Sequence, residues 1–128
     1  MKLNALQAGF NLDHIALESP EPDRLANFYK DFIMMEYKEQ KKEELIMQGL
    51  NRKIILKKGN RNKLSYAGFS CRNKENLRKF KRFITEKKVY FKEFQNHHFE
   101  KGSFSIIDPD GNLISFGIRK KDKNFYKN

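Results

Sequence analysis

The sequence predicts an α+β domain made by duplication, with the order strand, helix, three strands written twice. Three observations carry this expectation. Leu12-Asp13-His14-Ile15-Ala16-Leu17 and Leu64-Ser65-Tyr66-Ala67-Gly68-Phe69 read alike at a spacing of 52 residues. The same offset carries Asp23 onto Glu75, Leu25 onto Leu77 and Phe28 onto Phe80. In each copy an alternating strand pattern runs through an acidic helix start into an amphipathic helix, and short strand patterns follow. A repeat of this length present only twice is a duplicated module, because a solenoid needs about three or more repeats for stability. Paired modules can set their first strands side by side, so that His14 and Tyr66 face one shared cleft.

The elements follow in order. Residues 1–10 read as a lead-in segment, a short strand or arm. Asn11 to Glu18 alternates Leu12, His14 and Ala16 against Asp13, Ile15 and Leu17, a strand with little free surface. Ser19-Pro20-Glu21-Pro22-Asp23 breaks that strand and starts a helix. Pro22 suits the first helical position, and the carboxylates suit the positive helix end. Leu25, Phe28, Tyr29 and Phe32 give that helix one buried face. Strands are expected near 36–42, 45–49 and 52–58, with Gly49-Leu50-Asn51 as the last turn. Gly59 to Lys63 links the halves.

The second copy starts with a strand near 64–71. A helix from Asn73 to Glu86 follows, with Asn73 as its cap and Leu77, Phe80, Phe83 and Ile84 facing the core. Strands are expected at 89–95, 103–107 and 112–118. Asp108-Pro109-Asp110-Gly111 closes the last hairpin, since proline presets the second turn position and glycine accepts positive φ. Residues 121–128 form a charged tail. The helices cover one sheet surface, and the other can curl around a cavity.

Bulk properties narrow the function classes. A chain of 128 residues is one domain by the length prior and can bury a core without disulfides. Twelve Phe and no Trp predict a phenylalanine-rich core. The single cysteine, Cys71, excludes an internal disulfide. No apolar run reaches the roughly 18 residues of a membrane span, and residues 1–10 do not read as a signal peptide. A cytoplasmic protein is expected. The net charge of +11 favours anionic partners, but 20 Lys and 12 Asn scattered among Glu also describe a plain compositional bias. Lys74, Arg78, Lys81 and Arg82 share a helix face, and Arg119 to Lys123 is also basic, yet no nucleic-acid motif accompanies either.

Other reactive residues have simple explanations. His97 and His98 are adjacent, so on a strand they face opposite ways and cannot chelate one metal; in a loop they could, with Glu93 and Glu100 nearby. An exposed polar hairpin is the plainer expectation for them. Cys71 lacks the basic partner a nucleophile needs and reads as a small buried residue. Asp108 and Asp110 are explained by their turn. The chain has no phosphate-cradling glycine loop, nucleophile elbow or cysteine-rich zinc spacing.

Three segments together resemble the vicinal oxygen chelate superfamily of glyoxalases, bleomycin and fosfomycin resistance proteins, and extradiol dioxygenases. They are Leu12-Asp13-His14-Ile15-Ala16-Leu17, Leu25-Ala26-Asn27-Phe28-Tyr29 and Asp108-Pro109-Asp110-Gly111-Asn112. The match covers residues 10–118, and Leu64 to Phe69 is nearest to the N-terminal, non-metal half of extradiol dioxygenases. The resemblance implies two tandem βαβββ modules over residues 11–120, forming a half-open mixed β-barrel with the helices outside, often as a homodimer. The family metal positions fall on His14, Ile55, Tyr66 and Ser115. Only His14 is a good ligand among these, so no cofactor is expected; a divalent metal at a non-standard site is the alternative.

The resemblance therefore implies a glyoxalase, bleomycin-resistance or dioxygenase-like protein with a degenerate metal site. It would bind a small organic ligand in its cleft, with His14, Tyr66 and Ser115 as polar points of contact. A net-positive chain favours an anionic or aromatic ligand over a cationic one. The alternative is an enzyme, a lyase or dioxygenase, with a non-standard metal site or metal-free acid–base chemistry at His14 and Tyr66. A third reading is a structural relative of a two-domain dioxygenase. Nucleic acid and membrane are not expected partners.

Overall fold

The computed structural model of the chain describes residues 2–41, 43–50, 52–93 and 96–120. Its elements are α1 (Ala5–Ala8), β1 (Asn11–Ser19), α2 (Pro22–Phe32), β2 (Glu36–Lys41), β3 (Glu44–Gly49), β4 (Arg52–Lys58), β5 (Lys63–Cys71), α3 (Lys74–Glu86), β6 (Lys92–Glu93), β7 (Phe104–Ile107) and β8 (Leu113–Ile118). The duplication is visible in these bounds. β1 and β5 are both nine residues long, and their starts are 52 residues apart, as are the starts of α2 and α3. The described residues divide into two compact units, one of His14–Tyr66, the other of those up to Asp13 together with those from Ala67 to Lys120.

In the His14–Tyr66 unit the strand order is β2-β3-β4-β1, with β1 parallel to β4 and the other pairs antiparallel. Parallel pairing needs a long crossover, and α2 with the β2–β3 hairpin supplies it. Met35, Met47, Leu45, Leu56 and Ala26 form the core here, with Leu25 and Tyr29 of α2 packed on it. The expected buried face of α2 is only half realised. Phe28 and Phe32 are 48% and 73% exposed, and their rings lie against each other at 5.3 Å. The helical period marks which residues share a face, but the width of the sheet beneath decides how many are covered.

The other unit repeats the topology as β6-β7-β8-β5, with β5 parallel to β8. Asn73 caps α3 by accepting the Asn76 N–H at 2.8 Å, and Leu77, Phe80 and Ile84 are buried as expected. The core is rich in phenylalanine: Phe80 lies 4.8 Å from Phe10 and 4.9 Å from Phe116, and Phe104 lies 5.6 Å from Phe116. The Phe10 contacts with Phe80 and Phe116 are edge-on, an arrangement the ring quadrupole favours.

The lead-in segment is neither strand nor extended arm. Asn4 and Gln7 cap each other reciprocally, which nucleates the short α1, and Gly9 ends it in the left-handed region at φ 80°. Ala8 is fully buried, and Leu3 and Ala8 are hydrogen-bonded to Lys79 and Asn76 of α3. The strand expected over 89–95 is confined to Lys92–Glu93 among the described residues. α3 runs to Glu86, and Lys88 then takes φ 61°. Phe94, Gln95, the turn residue Asn51, Lys42 and the charged tail lie outside the described residues. No helix among the described residues is long and apolar enough to cross a membrane.

Register fixes the equivalent places of the two modules. Ala16 on β1 lies opposite Ile55 on β4, and its repeat partner Gly68 on β5 lies opposite Ser115 on β8. Ile55 and Ser115 are therefore topologically equivalent. Further along β8, a Cβ at Gly117 would overlap the ring of Phe99, which is 2% exposed. Gly117→Ala is expected to lower stability by about 1–3 kcal/mol through overpacking. Urea unfolding measures it, and a loss below about 0.5 kcal/mol would show that the Phe99 ring moves aside freely.

Candidate functional site

β1 buries side chains from both faces: Asp13 is 4% exposed, His14 1% and Ala16 0%. Within the His14–Tyr66 unit, His14 Nε2 lies 2.8 Å from the Tyr66 hydroxyl. The rings meet edge to face at 5.3 Å with an interplanar angle of 90°. His14 and Tyr66 occupy equivalent positions of the repeat, and the fold brings them together as a hydrogen-bonded pair. The imidazole tautomer decides which of the two donates. Tyr66 is 7% exposed, so the bond is shielded from water. Ile55 of β4 is 0% exposed and offers only hydrocarbon.

Ser115 of β8, also 0% exposed, faces Ser105 across the β7–β8 ladder, with the hydroxyl oxygens 2.8 Å apart. The same unit holds a buried charge on the strand face that Asp13 shares with Ile15 and Leu17. Asp13 Oδ1 accepts from Arg119 Nε at 2.8 Å and from the Ser70 hydroxyl at 3.2 Å. A carboxylate in a strand with no free surface needs such donors. That mismatch of charge and burial is the signal by which Asp13 could have been found.

His97 and His98 do not sit in an exposed hairpin. They follow one another in a turn, His98 is 9% exposed, and their ring centroids are 4.0 Å apart. The rule that neighbours point opposite ways holds for strands and does not apply in a turn. The Asn96 side chain accepts the His98 N–H at 2.9 Å, and Asn96 N–H donates to the Ser103 hydroxyl at 3.2 Å. Glu93 is engaged by Lys81.

Cys71 is buried. Burial pushes its thiol upward in pKa, against a nucleophilic role. Asp108 accepts from the backbone N–H of Asn112 at 2.8 Å, from the Asn112 side chain at 3.0 Å and from Asp110 N–H at 3.0 Å. These bonds hold its carboxyl below the usual carboxylate range, and they belong to a turn that Gly111 completes at φ 87°.

A cavity of about 690 Å³ lies in the His14–Tyr66 unit, between the end of β1, the first half of α2 and the β4–β5 connection. Leu17, Leu25, Phe28 and Leu64 give it apolar walls, and Arg24, Arg61 and Lys63 give it positive charge. His14, Tyr66 and Ile55 are not among its lining residues.

The His14–Tyr66 bond sets one expectation. Tyr66→Phe strands the imidazole nitrogen and is expected to lower stability by about 1–3 kcal/mol. The double change with His14→Phe should cost less than the sum of the two single changes, a coupling of about 0.5–3 kcal/mol. Additive losses in urea unfolding would mean that the two side chains do not interact.

No family model matches the chain, and no curated protein matches it in sequence. Solved structures do match. A variant of homoprotocatechuate 2,3-dioxygenase from Brevibacterium fuscum superposes with a TM-score of 0.75 at 14% identity, over 93% of this chain and 35% of that one. A catechol 2,3-dioxygenase gives 0.72 at 16% identity, over 84% of this chain and 38% of that one. A halotolerant catechol dioxygenase gives 0.70 at 15% identity, over 90% and 42%. The chain thus spans between 34% and 42% of the length of these dioxygenases. At such identities the likeness is one of fold. The chain shares its fold with these dioxygenases, in line with the fold its sequence resemblance implied.

Proposed function

We propose that this is a dioxygenase-like domain with a degenerate metal site, and that it acts by binding a small organic ligand. The state of His14 carries the reading. An imidazole that ligates a metal turns a nitrogen lone pair toward it, whereas His14 Nε2 is 2.8 Å from the Tyr66 hydroxyl. The remaining positions marked by the resemblance do not fit a divalent cation either. Ile55 has no donor atom, and Ser115 is hydrogen-bonded to Ser105. A hydroxyl and a phenol are poor substitutes for the carboxylates and imidazoles such ions need. His14, Tyr66 and Ser115 are thereby assigned a structural part, and ligand binding shifts to the cavity beside α2. Its volume falls in the range of about 300–1,000 Å³ common to small-molecule sites.

The enzyme alternative would require the His14–Tyr66 pair to open toward a substrate. A second reading is favoured by the chain's spanning only about a third of the dioxygenases it resembles in fold. In that reading the domain supports a catalytic partner domain and binds no ligand of its own.

The test is metal content after separate incubation with Zn²⁺, Mn²⁺, Ni²⁺ and Fe²⁺, by mass spectrometry of the desalted protein. No stoichiometric metal that depends on His14 is expected. Near-stoichiometric metal that disappears in His14→Ala would overturn the reading. Metal lost only on changing His97 and His98 to Ala would place a divalent site away from the family positions and leave the reading intact.

A further inference from the structure

We infer that the cavity beside α2 binds an amphipathic organic anion, an apolar body with one acidic head, at a place distinct from the residues the family resemblance marks. This rests on the ligand-binding reading above and names the site and the chemistry of its occupant.

The argument begins with how the cavity is built. The β4–β5 connection is tied to the end of β1. Gly59 N–H donates to the Ser19 carbonyl at 2.9 Å, and Asn60 N–H donates to Glu18 Oε1 at 3.1 Å. A Cβ at Gly59 would overlap the Glu18 side chain as it stands, so a larger residue there would have to displace that carboxylate. Asn62 then turns the chain at φ 57°. The connection thereby brings Arg61 and Lys63 into the cavity lining together with residues of the first turns of α2.

Charge is the second part. Three cations and two carboxylates line the space. Glu21 is paired with Arg24 at 3.5 Å, and the Glu18 carboxylate is held by Asn60. Among the described residues Arg61 and Lys63 have no ion-pair partner. Both are exposed residues of the cavity lining, so their attraction for an anion weakens as salt is raised. An acidic head near them would meet two cations that form no ion pair, in a lining whose formal net charge is +1.

The third part is the wall. Phe28 is 48% exposed and Leu64 37%, although both border the cavity with Leu17 and Leu25. An apolar body seated there would cover hydrocarbon at a gain of about 25 cal/mol per Å². A purely apolar ligand would leave Arg61 and Lys63 unused, and an inorganic anion would leave the wall unused. The combination selects a molecule with both features.

The experiment uses two fluorescent probes with the same rings, 8-anilinonaphthalene-1-sulfonate and the uncharged N-phenyl-1-naphthylamine. Saturable one-to-one binding of the sulfonate is expected, at least tenfold tighter than that of the amine and weakened by salt. The double variant Arg61→Glu/Lys63→Glu should weaken the sulfonate at least tenfold and leave the amine within twofold. Phe28→Ser, at a half-exposed ring, should weaken both. Tyr66→Phe should change neither. Circular dichroism and urea midpoints confirm that each variant is folded. Sulfonate binding that is indifferent to charge reversal overturns the site. One-to-one binding that ignores Arg61, Lys63 and Phe28 but falls with Tyr66→Phe also overturns it, while leaving the ligand-binding reading standing. No saturable binding of either probe removes both.

Discussion

Buried polar side chains are costly to leave unpaired, and among the described residues all but the Asn96 side-chain nitrogen find a hydrogen-bond partner. Leaving one unpaired costs about 1–3 kcal/mol, a large part of a domain's net stability of about 5–15 kcal/mol. The first strand carries Asp13 and His14 into positions with almost no solvent. Each is answered inside its own unit, Asp13 by Arg119 and Ser70, His14 by Tyr66. Ser115 is answered by Ser105. His14 and Ser115, two positions that the sequence resemblance marks, are here directed toward other side chains. Tyr66 fills the space beside the His14 ring and supplies a hydrogen bond to its imidazole.

The duplicated topology was legible because it rests on local signals. A strand alternation, a proline at a helix start and a hairpin glycine each act within a few residues, and the 52-residue offset repeats the first of them in register. The phenylalanine core was legible from composition. What was not legible depends on surfaces that meet only in three dimensions. The helical period marks Leu25, Phe28, Tyr29 and Phe32 alike, but the sheet covers Leu25 and Tyr29 more fully than Phe28 and Phe32. The burial of His98 depends on a turn whose conformation pattern rules do not specify. α1 was missed because four residues carry too little periodicity, although Asn4 and Gln7 held the capping signal.

The same limit applies to the candidate site. His14, Tyr66 and Ser115 were marked by repeat position and resemblance, and the Ser105–Ser115 pairing follows from the β7–β8 register. The cavity beside α2 has no motif. It draws on the end of one strand, two helical turns and a connection some 40 residues later in the chain, which Gly59 and Asn60 tie to Ser19 and Glu18. The excess positive charge, which composition alone could not assign to function or bias, acquires a local meaning at Arg61 and Lys63.

The most direct measurement is nuclear magnetic resonance of the imidazole rings during titration with Mn²⁺. The chain has only three histidines, so His14, His97 and His98 can be assigned by single substitutions. If His14 is closed onto Tyr66, its ring signals should stay sharp and unshifted at one equivalent of the paramagnetic ion. Selective broadening of His14 at stoichiometric Mn²⁺ would contradict a metal-free site and would make its bond to Tyr66 a resting arrangement that a cation displaces.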